Sequence, residues 1–101
     1  MKMKMNEDLI GSHVVVRSSP SGVWVGVLEG CDGQTVRLRD ARRAWRWEGA
    51  ASCSGLATHG PSGGKIAAPV GIAVIHEVCE ILAATAGAIE RWSAVSPWVI
   101  Q

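Results

Sequence analysis

The 101-residue sequence contains neither phenylalanine nor tyrosine, so its five tryptophans must provide all of the aromatic packing. Each buried indole contributes roughly 150–250 Å² of contact area, which a small core can hardly do without. The rest of the core must come from valine, isoleucine and leucine, and β-branched side chains favour strands. Together with 12 glycines, this composition favours strands and turns over long helices.

Cysteine is also scarce, since the sequence has three, at irregular spacing: Cys31, Cys53 and Cys79. An odd, irregular set is a poor framework for disulfides. The Met- and Lys-rich N-terminus lacks the apolar segment of a signal peptide, and no apolar run approaches the roughly 18 residues of a membrane span. We therefore expect a reduced, cytoplasmic protein that does not associate with membranes.

Length and charge indicate one globular domain, with 48% hydrophobic and 19% charged residues. We expect residues 1–8 to form a flexible N-terminus and residues 9–101 a single β-rich domain. The formal net charge of +1 argues against a protein that binds polyanions over its whole surface. A local basic patch is still compatible with that value.

Basic and aromatic residues are concentrated in residues 37–47, which read RLRDARRAWRW. The candidate ligand-binding residues are Arg37, Arg39, Arg42, Arg43, Arg46, Trp45 and Trp47. Arginine binds phosphate through two parallel hydrogen bonds and stays charged, and an indole can stack on a base. The stretch therefore predicts an anion or nucleotide site. The alternative is a solvated strand face whose arginines pair with nearby carboxylates.

Alternating apolar positions predict four short strands in the first half of the chain, over residues 13–16, 23–29, 35–40 and 45–48. A turn or bulge is predicted at Asp40-Ala41. The period of two places Arg37 and Arg39 together on an outward face. It also places Trp45 and Trp47 together on an inward face, with Arg43 in phase beside them.

The second half predicts a short helix over residues 52–59, a loop at 60–64 and a strand over 65–70. Thr85 is a suitable N-cap for a C-terminal helix over residues 86–95, which Trp92 and Trp98 would clamp. The segment Ile72–Leu82 is ambiguous, because an apolar stripe fits a helix while its β-branched residues favour a strand.

These elements predict an α+β fold: a strongly bent antiparallel sheet or small barrel, with a short middle helix and a short C-terminal helix. Gly26 lies within the most regular apolar alternation of the chain. A glycine in the middle of a strand indicates a bend or a close approach of another backbone.

Other potentially reactive residues are incompletely arranged. Residues 76–80 (HEVCE) offer only half of a zinc site, which needs three or four ligands. Cys53 and His59 lack the strand–turn–helix context of a nucleophile. The loop before Lys65 does not complete the phosphate-binding GxxxxGK[ST] spacing. We therefore predict no catalytic residues, no metal and no cofactor, and expect that the protein is not an enzyme.

Two resemblances extend these expectations. Residues 13–43, with VWVGVLEGCDGQTVRLRDA, resemble the first half of Sm-like and other SH3-like small barrels, which implies a barrel and, for Sm-like proteins, an RNA-binding ring. The second half departs from the Sm pattern, so no RNA site is transferred. Residues 5–98, with DARRAWRWEGA, IHEVCEIL and a terminal PW, look like a family of small uncharacterised tailed-phage proteins. That resemblance implies that Ile72–Leu82 is a strand.

The phage-like resemblance implies an accessory or host-interaction role. By analogy of size and setting, we expect a non-catalytic, phage-encoded binding protein that acts as an oligomeric sponge for a nucleotide-type host immune signal. The alternatives are an Sm-like RNA-binding ring and a host-protein-binding or structural module. Strands that are apolar on both faces imply exposed sheet edges, which predicts a homo-oligomer.

Overall fold

A computed structural model describes residues 6–98, in which a 3-10 turn at Glu7–Leu9 precedes six strands and two α-helices. The elements are β1 (His13–Ser18), β2 (Gly22–Asp32), β3 (Thr35–Glu48), α1 (Cys53–Thr58), β4 (Gly63–Ile66), β5 (Val70–Ile75), β6 (Val78–Ala83) and α2 (Ala86–Ala94). Of the predicted flexible N-terminus, residues 1–5 lie outside the described part. In residues 6–98 neither helix is long and apolar enough to cross a membrane.

The strands form one antiparallel sheet in the order β4-β3-β2-β1-β6, and β5 also pairs with β3. One edge of the long β3 pairs with β2, while β5 and β4 share its other edge, at residues 36–41 and 44–48. No ladder among residues 6–98 joins β5 to β6, so the sheet is open. The α+β class, with an antiparallel sheet and two short helices, is confirmed, and the sheet is not a closed barrel.

The core has two parts, one on each face of the sheet. The helix-side core contains Val15, Val23, Val25, Ala44, Leu56, Ala57, Ile66, Ala88 and Trp92. The opposite core contains Val14, Val16, Leu28, Val36, Leu38, Ala41, Ile75 and Val78. Because Val14 and Val16 point to one core and Val15 to the other, the HVVV run is buried on both faces, as expected for a central strand.

The C-terminal helix begins at the predicted residue, and the middle helix, predicted over residues 52–59, begins one residue later at Cys53. The Ser52 hydroxyl accepts from the Gly55 N–H at the start of α1, and the Thr85 hydroxyl accepts from the Ala88 N–H at the start of α2. The Trp92 indole donates to the Leu56 carbonyl at 3.1 Å, which fixes α2 against α1. The strand predicted over residues 65–70 is instead β4, which begins at residue 63 and ends at 66.

The segment Ile72–Leu82 contains two strands and no helix, so the strand interpretation was right but its continuity was not. The chain turns at His76-Glu77, where Glu77 adopts a left-handed conformation with φ of 54°. The two strands then diverge, because β5 pairs with β3 and β6 pairs with β1. The backbone groups of this segment are therefore hydrogen-bonded to β3 and β1, and not to one another as they would be in a helix.

Two strands were predicted on either side of Asp40-Ala41, and the structure has one strand with a bulge there. Asp40 has φ of 52°, and the register passes from Val25 opposite Arg42 to Val27 opposite Arg39. Three residue steps on β3 therefore face two on β2, which defines a β-bulge. Gly26 lies at this point, and a Cβ there would stand 3.0 Å from the Arg39 carbonyl oxygen.

Replacement of Gly26 by alanine should destabilise the protein by about 1–3 kcal/mol, because its Cβ would press on the backbone of the bulge. Gly30→Ala is the matched control in the same strand, since a Cβ there meets nothing within 4 Å. Urea unfolding followed by tryptophan fluorescence measures both. Equal stability of the two variants would contradict a close approach at Gly26.

Candidate functional site

The bulge changes which residues of β3 face each core. Before it, the even-numbered Val36 and Leu38 enter the opposite core; after it, the odd-numbered Ala41 does. The candidate residues of β3 are thereby divided among three environments, although they are close together in sequence.

Arg37 and Arg39 form the first group, and they face outward as predicted. Their Nε atoms each lie 3.4 Å from a carboxylate oxygen of Glu29, and Arg39 also contacts Asp40 at 3.2 Å. About half of each arginine side chain is exposed, so these ion pairs are solvated and add little stability. This is the solvated strand face that the sequence offered as an alternative.

Arg42 is the second group, and it is only 8% exposed. Its three nitrogens donate to backbone carbonyls: Nε to Ala67 at 2.8 Å, Nη1 to Trp92 at 2.6 Å and Nη2 to Val95 at 2.9 Å. Two of these carbonyls lie at the C-terminal end of α2, where a cation also complements the helix dipole. Burial lowers the pKa of the Arg42 guanidinium, because desolvation disfavours its charged form.

A cavity of about 300 Å³ lies beside Arg42, between α2, the bulge and the segment after β4. Most of its lining is apolar, including Val25, Trp92 and Val95, with His13 and Asp40 also contributing. The nitrogens of Arg42 are already bonded to carbonyls here. Arg42 therefore offers an anion in this cavity no nitrogen that is free of a carbonyl partner.

The third group surrounds Trp45, and we call it the tryptophan–cation surface: Trp24, Arg43, Trp45, Lys65 and Trp98. The Arg43 guanidinium lies 4.4 Å from the centre of the Trp24 ring, and the Lys65 ammonium 5.0 Å from that of Trp98. Both distances are typical of cation–π contacts. Trp45 meets Trp98 edge to face, at 5.4 Å between ring centres, and remains 52% exposed.

The charges of this surface are not neutralised by nearby acids. In residues 6–98, no carboxylate lies within 4.0 Å of Arg43 or Lys65. A pocket of about 250 Å³ opens between Trp24, Arg43 and Trp45. Its other lining residues are Ala41, Ala67, Ala68 and Val70. The buried Trp24 Nε1 and Arg43 Nε find no hydrogen-bond acceptor in the described part of the chain.

The prediction that Trp45 and Trp47 share an inward face was wrong. The ladder between β3 and β4 is irregular between Ala44 and Arg46, which breaks the alternation. Trp47 packs against the helix-side core and donates from Nε1 to the Ala50 carbonyl at 3.2 Å. Trp45 instead lies on the surface, and Arg46 is exposed.

Sequence reasoning missed three members of the tryptophan–cation surface, namely Trp24, Lys65 and Trp98. They lie on β2, on β4 and after α2, so only strand pairing and the return of the chain bring them to β3. The Trp98 N–H donates to the Ile66 carbonyl at 2.8 Å, which places its ring beside Lys65. Trp24 lies directly opposite Arg43 because of the register between β2 and β3. That register depends on the bulge, so the pair could not be predicted from the sequence.

The remaining reactive residues are dispersed. No cluster of three or more His, Cys, Asp or Glu side chains in residues 6–98 could hold a metal ion. His76 lies at the turn after β5 and contacts the Thr35 hydroxyl at 3.2 Å. Burial raises the pKa of the Cys53 thiol, so this residue is less ionised at neutral pH than a free cysteine.

A family model described as "Domain of unknown function (DUF6948)" matches residues 11–92. This match covers most of the 101-residue chain. The protein belongs to this family. The matched region includes all of β3 together with Trp24 and Lys65, whereas Trp98 lies beyond it. No curated protein matches the sequence.

In this family member, Cys79 should be alkylated faster than Cys31 and Cys53 at neutral pH. Cys79 is exposed, while burial raises the pKa of the other two thiols and so reduces their reactive thiolate fraction. Raising the pH should accelerate the slow pair. Peptide mapping after iodoacetamide treatment of the native protein measures each rate. If Cys53 reacted as fast as Cys79, the prediction would be wrong and Cys53 would again be a candidate nucleophile.

Replacement of Arg42 by alanine should lower the free energy of unfolding by about 2–4 kcal/mol, because three carbonyls would lose a charged donor. Arg46→Ala is the control on the same strand and should change stability by less than about 0.5 kcal/mol, since Arg46 is exposed. Urea unfolding measures both. A stable Arg42→Ala variant would show that these hydrogen bonds contribute little.

Proposed function

We propose that the protein is a non-catalytic binding protein whose tryptophan–cation surface holds a phosphate-bearing nucleotide. One observation carries the proposal: the half-exposed Trp45 shares a pocket with Arg43 and contacts Trp98, on which Lys65 rests, and neither cation has an acidic partner in residues 6–98. This arrangement matches a ligand that has both a planar ring and negative charge.

Each part of such a ligand has a complementary group. The exposed face of Trp45 can stack on a base, an interaction that tolerates any base because every base has a π-face. Arg43 and Lys65 supply the positive charge for phosphate. Arg43 is already held on Trp24 at 4.4 Å, so less side-chain entropy is lost when it binds than for a freely moving arginine.

The buried donors near the pocket support a ligand there. An unpaired buried donor costs about 1–3 kcal/mol, so native proteins rarely keep one without a reason. Trp24 Nε1 and Arg43 Nε both lack an acceptor within residues 6–98, and both side chains line the pocket of about 250 Å³. Because both nitrogens are covered by neighbouring atoms, a ligand oxygen would satisfy them only after a shift of the side chains around the pocket.

Binding without turnover is the function that this lining supports. Its residues are tryptophan, arginine, alanine and valine, which provide neither a general base nor a nucleophile. Sequestration of a nucleotide-type host immune signal by a phage-encoded accessory protein is the biological role we propose, and its support is the sequence resemblance. Arg42 is omitted from the proposed site because its nitrogens are bonded to carbonyls.

Two other functions stay as predictions. An Sm-like RNA-binding ring would require the bent sheet to complete a barrel and to assemble in a ring. A host-protein-binding module would use Trp45 as an anchor, since tryptophan and arginine are common at the energetic centres of protein interfaces.

Nucleotide binding is tested by isothermal titration of the protein with AMP and with cyclic di-GMP. Native mass spectrometry of protein purified from cells reports any co-purified nucleotide and the stoichiometry. Loss of one stacked base is worth about 1–3 kcal/mol, so Trp45→Ala should weaken binding by about 5- to 140-fold. Lys65→Ala should weaken binding and reduce its dependence on salt.

Trp47→Ala is an unsuitable control because Trp47 packs against the core, so Arg37→Ala serves instead. Arg37 lies on the same strand, is exposed and is outside the tryptophan–cation surface, and its replacement should leave affinity unchanged. Equal affinity of Trp45→Ala and the unaltered protein would overturn the proposed site. Binding of oligoribonucleotides alone, with steep salt dependence, would favour the RNA alternative.

A further inference from the structure

The β5 strand presents an apolar surface at an unpaired sheet edge. Val70, Ile72 and Val74 alternate along it and are 46%, 44% and 49% exposed. One edge of β5 pairs with β3, and no other strand of residues 6–98 pairs with its second edge. Such an edge offers free backbone hydrogen-bonding groups to another strand.

The other edge strands carry features that discourage such pairing. In β4, only four residues long, Lys65 supplies a charge and two glycines weaken the strand. In β6, Glu80 lies in mid-strand and pairs with Arg17 at 2.9 Å. The β5 sequence VGIAVI has no charged residue and no proline, so it is the strand best suited to associate.

We infer that two copies of this chain associate through antiparallel pairing of β5 with β5, with Ile72 of each copy opposite the other at a two-fold axis. The strand order across the interface is then β3-β5-β5-β3. This inference is argued from the sheet edge and does not require nucleotide binding, although Val70 of β5 also lines the pocket beside Trp45.

A second copy fits this edge because the apolar pattern is symmetric about Ile72. Antiparallel pairing centred there places Val70 of one copy opposite Val74 of the other, and residues opposite each other point to the same face. Every cross-strand contact on that face is then between β-branched aliphatic side chains, which pack well on a pleated surface. A second copy of the same chain is therefore sufficient to cover the apolar face of β5, without a different protein.

The arginines beside β5 do not oppose this association. Arg37 lies opposite Val74 and Arg39 opposite Ile72 on β3, and both arginines pair with Glu29. In the dimer the two β3 strands are three strand spacings apart, about 14 Å. That separation exceeds the Debye length of about 8 Å at physiological salt, so the repulsion is screened.

The test is sedimentation velocity over a wide range of protein concentration, on the unaltered protein and on two charge variants. We expect a dimer whose fraction rises with concentration. Ile72→Lys and Ile72→Glu should each be monomeric, because like charges would face each other at the axis. An equimolar mixture of the two should dimerise again, which happens only if residue 72 faces residue 72.

Ile10→Lys is the matched control, since Ile10 is a similarly exposed isoleucine (49%) that is not part of β5, and the variant should leave the dimer intact. Circular dichroism checks that each variant is folded, and Ile72→Thr, without charge, should weaken the dimer if a charge variant fails to fold. A protein that is monomeric at every concentration would overturn the inference. So would a dimer or ring unaffected by Ile72→Lys, or a charge mixture that stays monomeric.

Discussion

The close approach of Gly26 to the bulge of β3 is the constraint on which the arrangement of the site depends. A Cβ at residue 26 would stand only 3.0 Å from the Arg39 carbonyl oxygen and 3.1 Å from the Ala41 Cα, so the backbone would have to shift slightly to admit it. Its absence lets three residue steps of β3 face two of β2, with Asp40 in a left-handed conformation. Because residues alternate along a strand, one extra residue reverses the face on which every later side chain lies.

Because of this reversal, arginines that are close in sequence lie in different environments. Arg39 precedes the bulge and forms a solvated ion pair. After the bulge, Arg42 donates to the Trp92 carbonyl at the end of α2, and Arg43 packs on the Trp24 ring. The buried Arg42 joins the sheet to the end of α2 and to the segment after β4. Through its hydrogen bond to the Ala67 carbonyl, it also holds one of the residues that line the pocket beside Trp45. A residue that stabilises the fold, Arg42, and a residue of the candidate binding site, Arg43, are thus neighbours on one strand.

Much of the fold was predictable from local pattern. The cap at Thr85, the alternation of β2 and the apolar run of β1 each depend on residues close together in sequence. The errors occurred where pairing partners were needed. Trp45 and Trp47 were predicted to share one face because regular alternation was assumed. The irregularity beside Ala44 that separates them arises from pairing with β4, which the sequence does not show. Ile72–Leu82 was read as one element because nothing local shows that its halves pair with different strands.

The sequence by itself determined that arginine and tryptophan are concentrated in residues 37–47, that the chain forms an antiparallel α+β domain, and that a glycine lies in the middle of the preceding strand. Composition, alternation and caps carry that information, because they act between residues a few positions apart. Only the tertiary structure decided which arginine is buried, which tryptophan is exposed, and that Trp24, Lys65 and Trp98 join them. These outcomes depend on strand register and on contacts between residues distant in sequence, which no local pattern specifies.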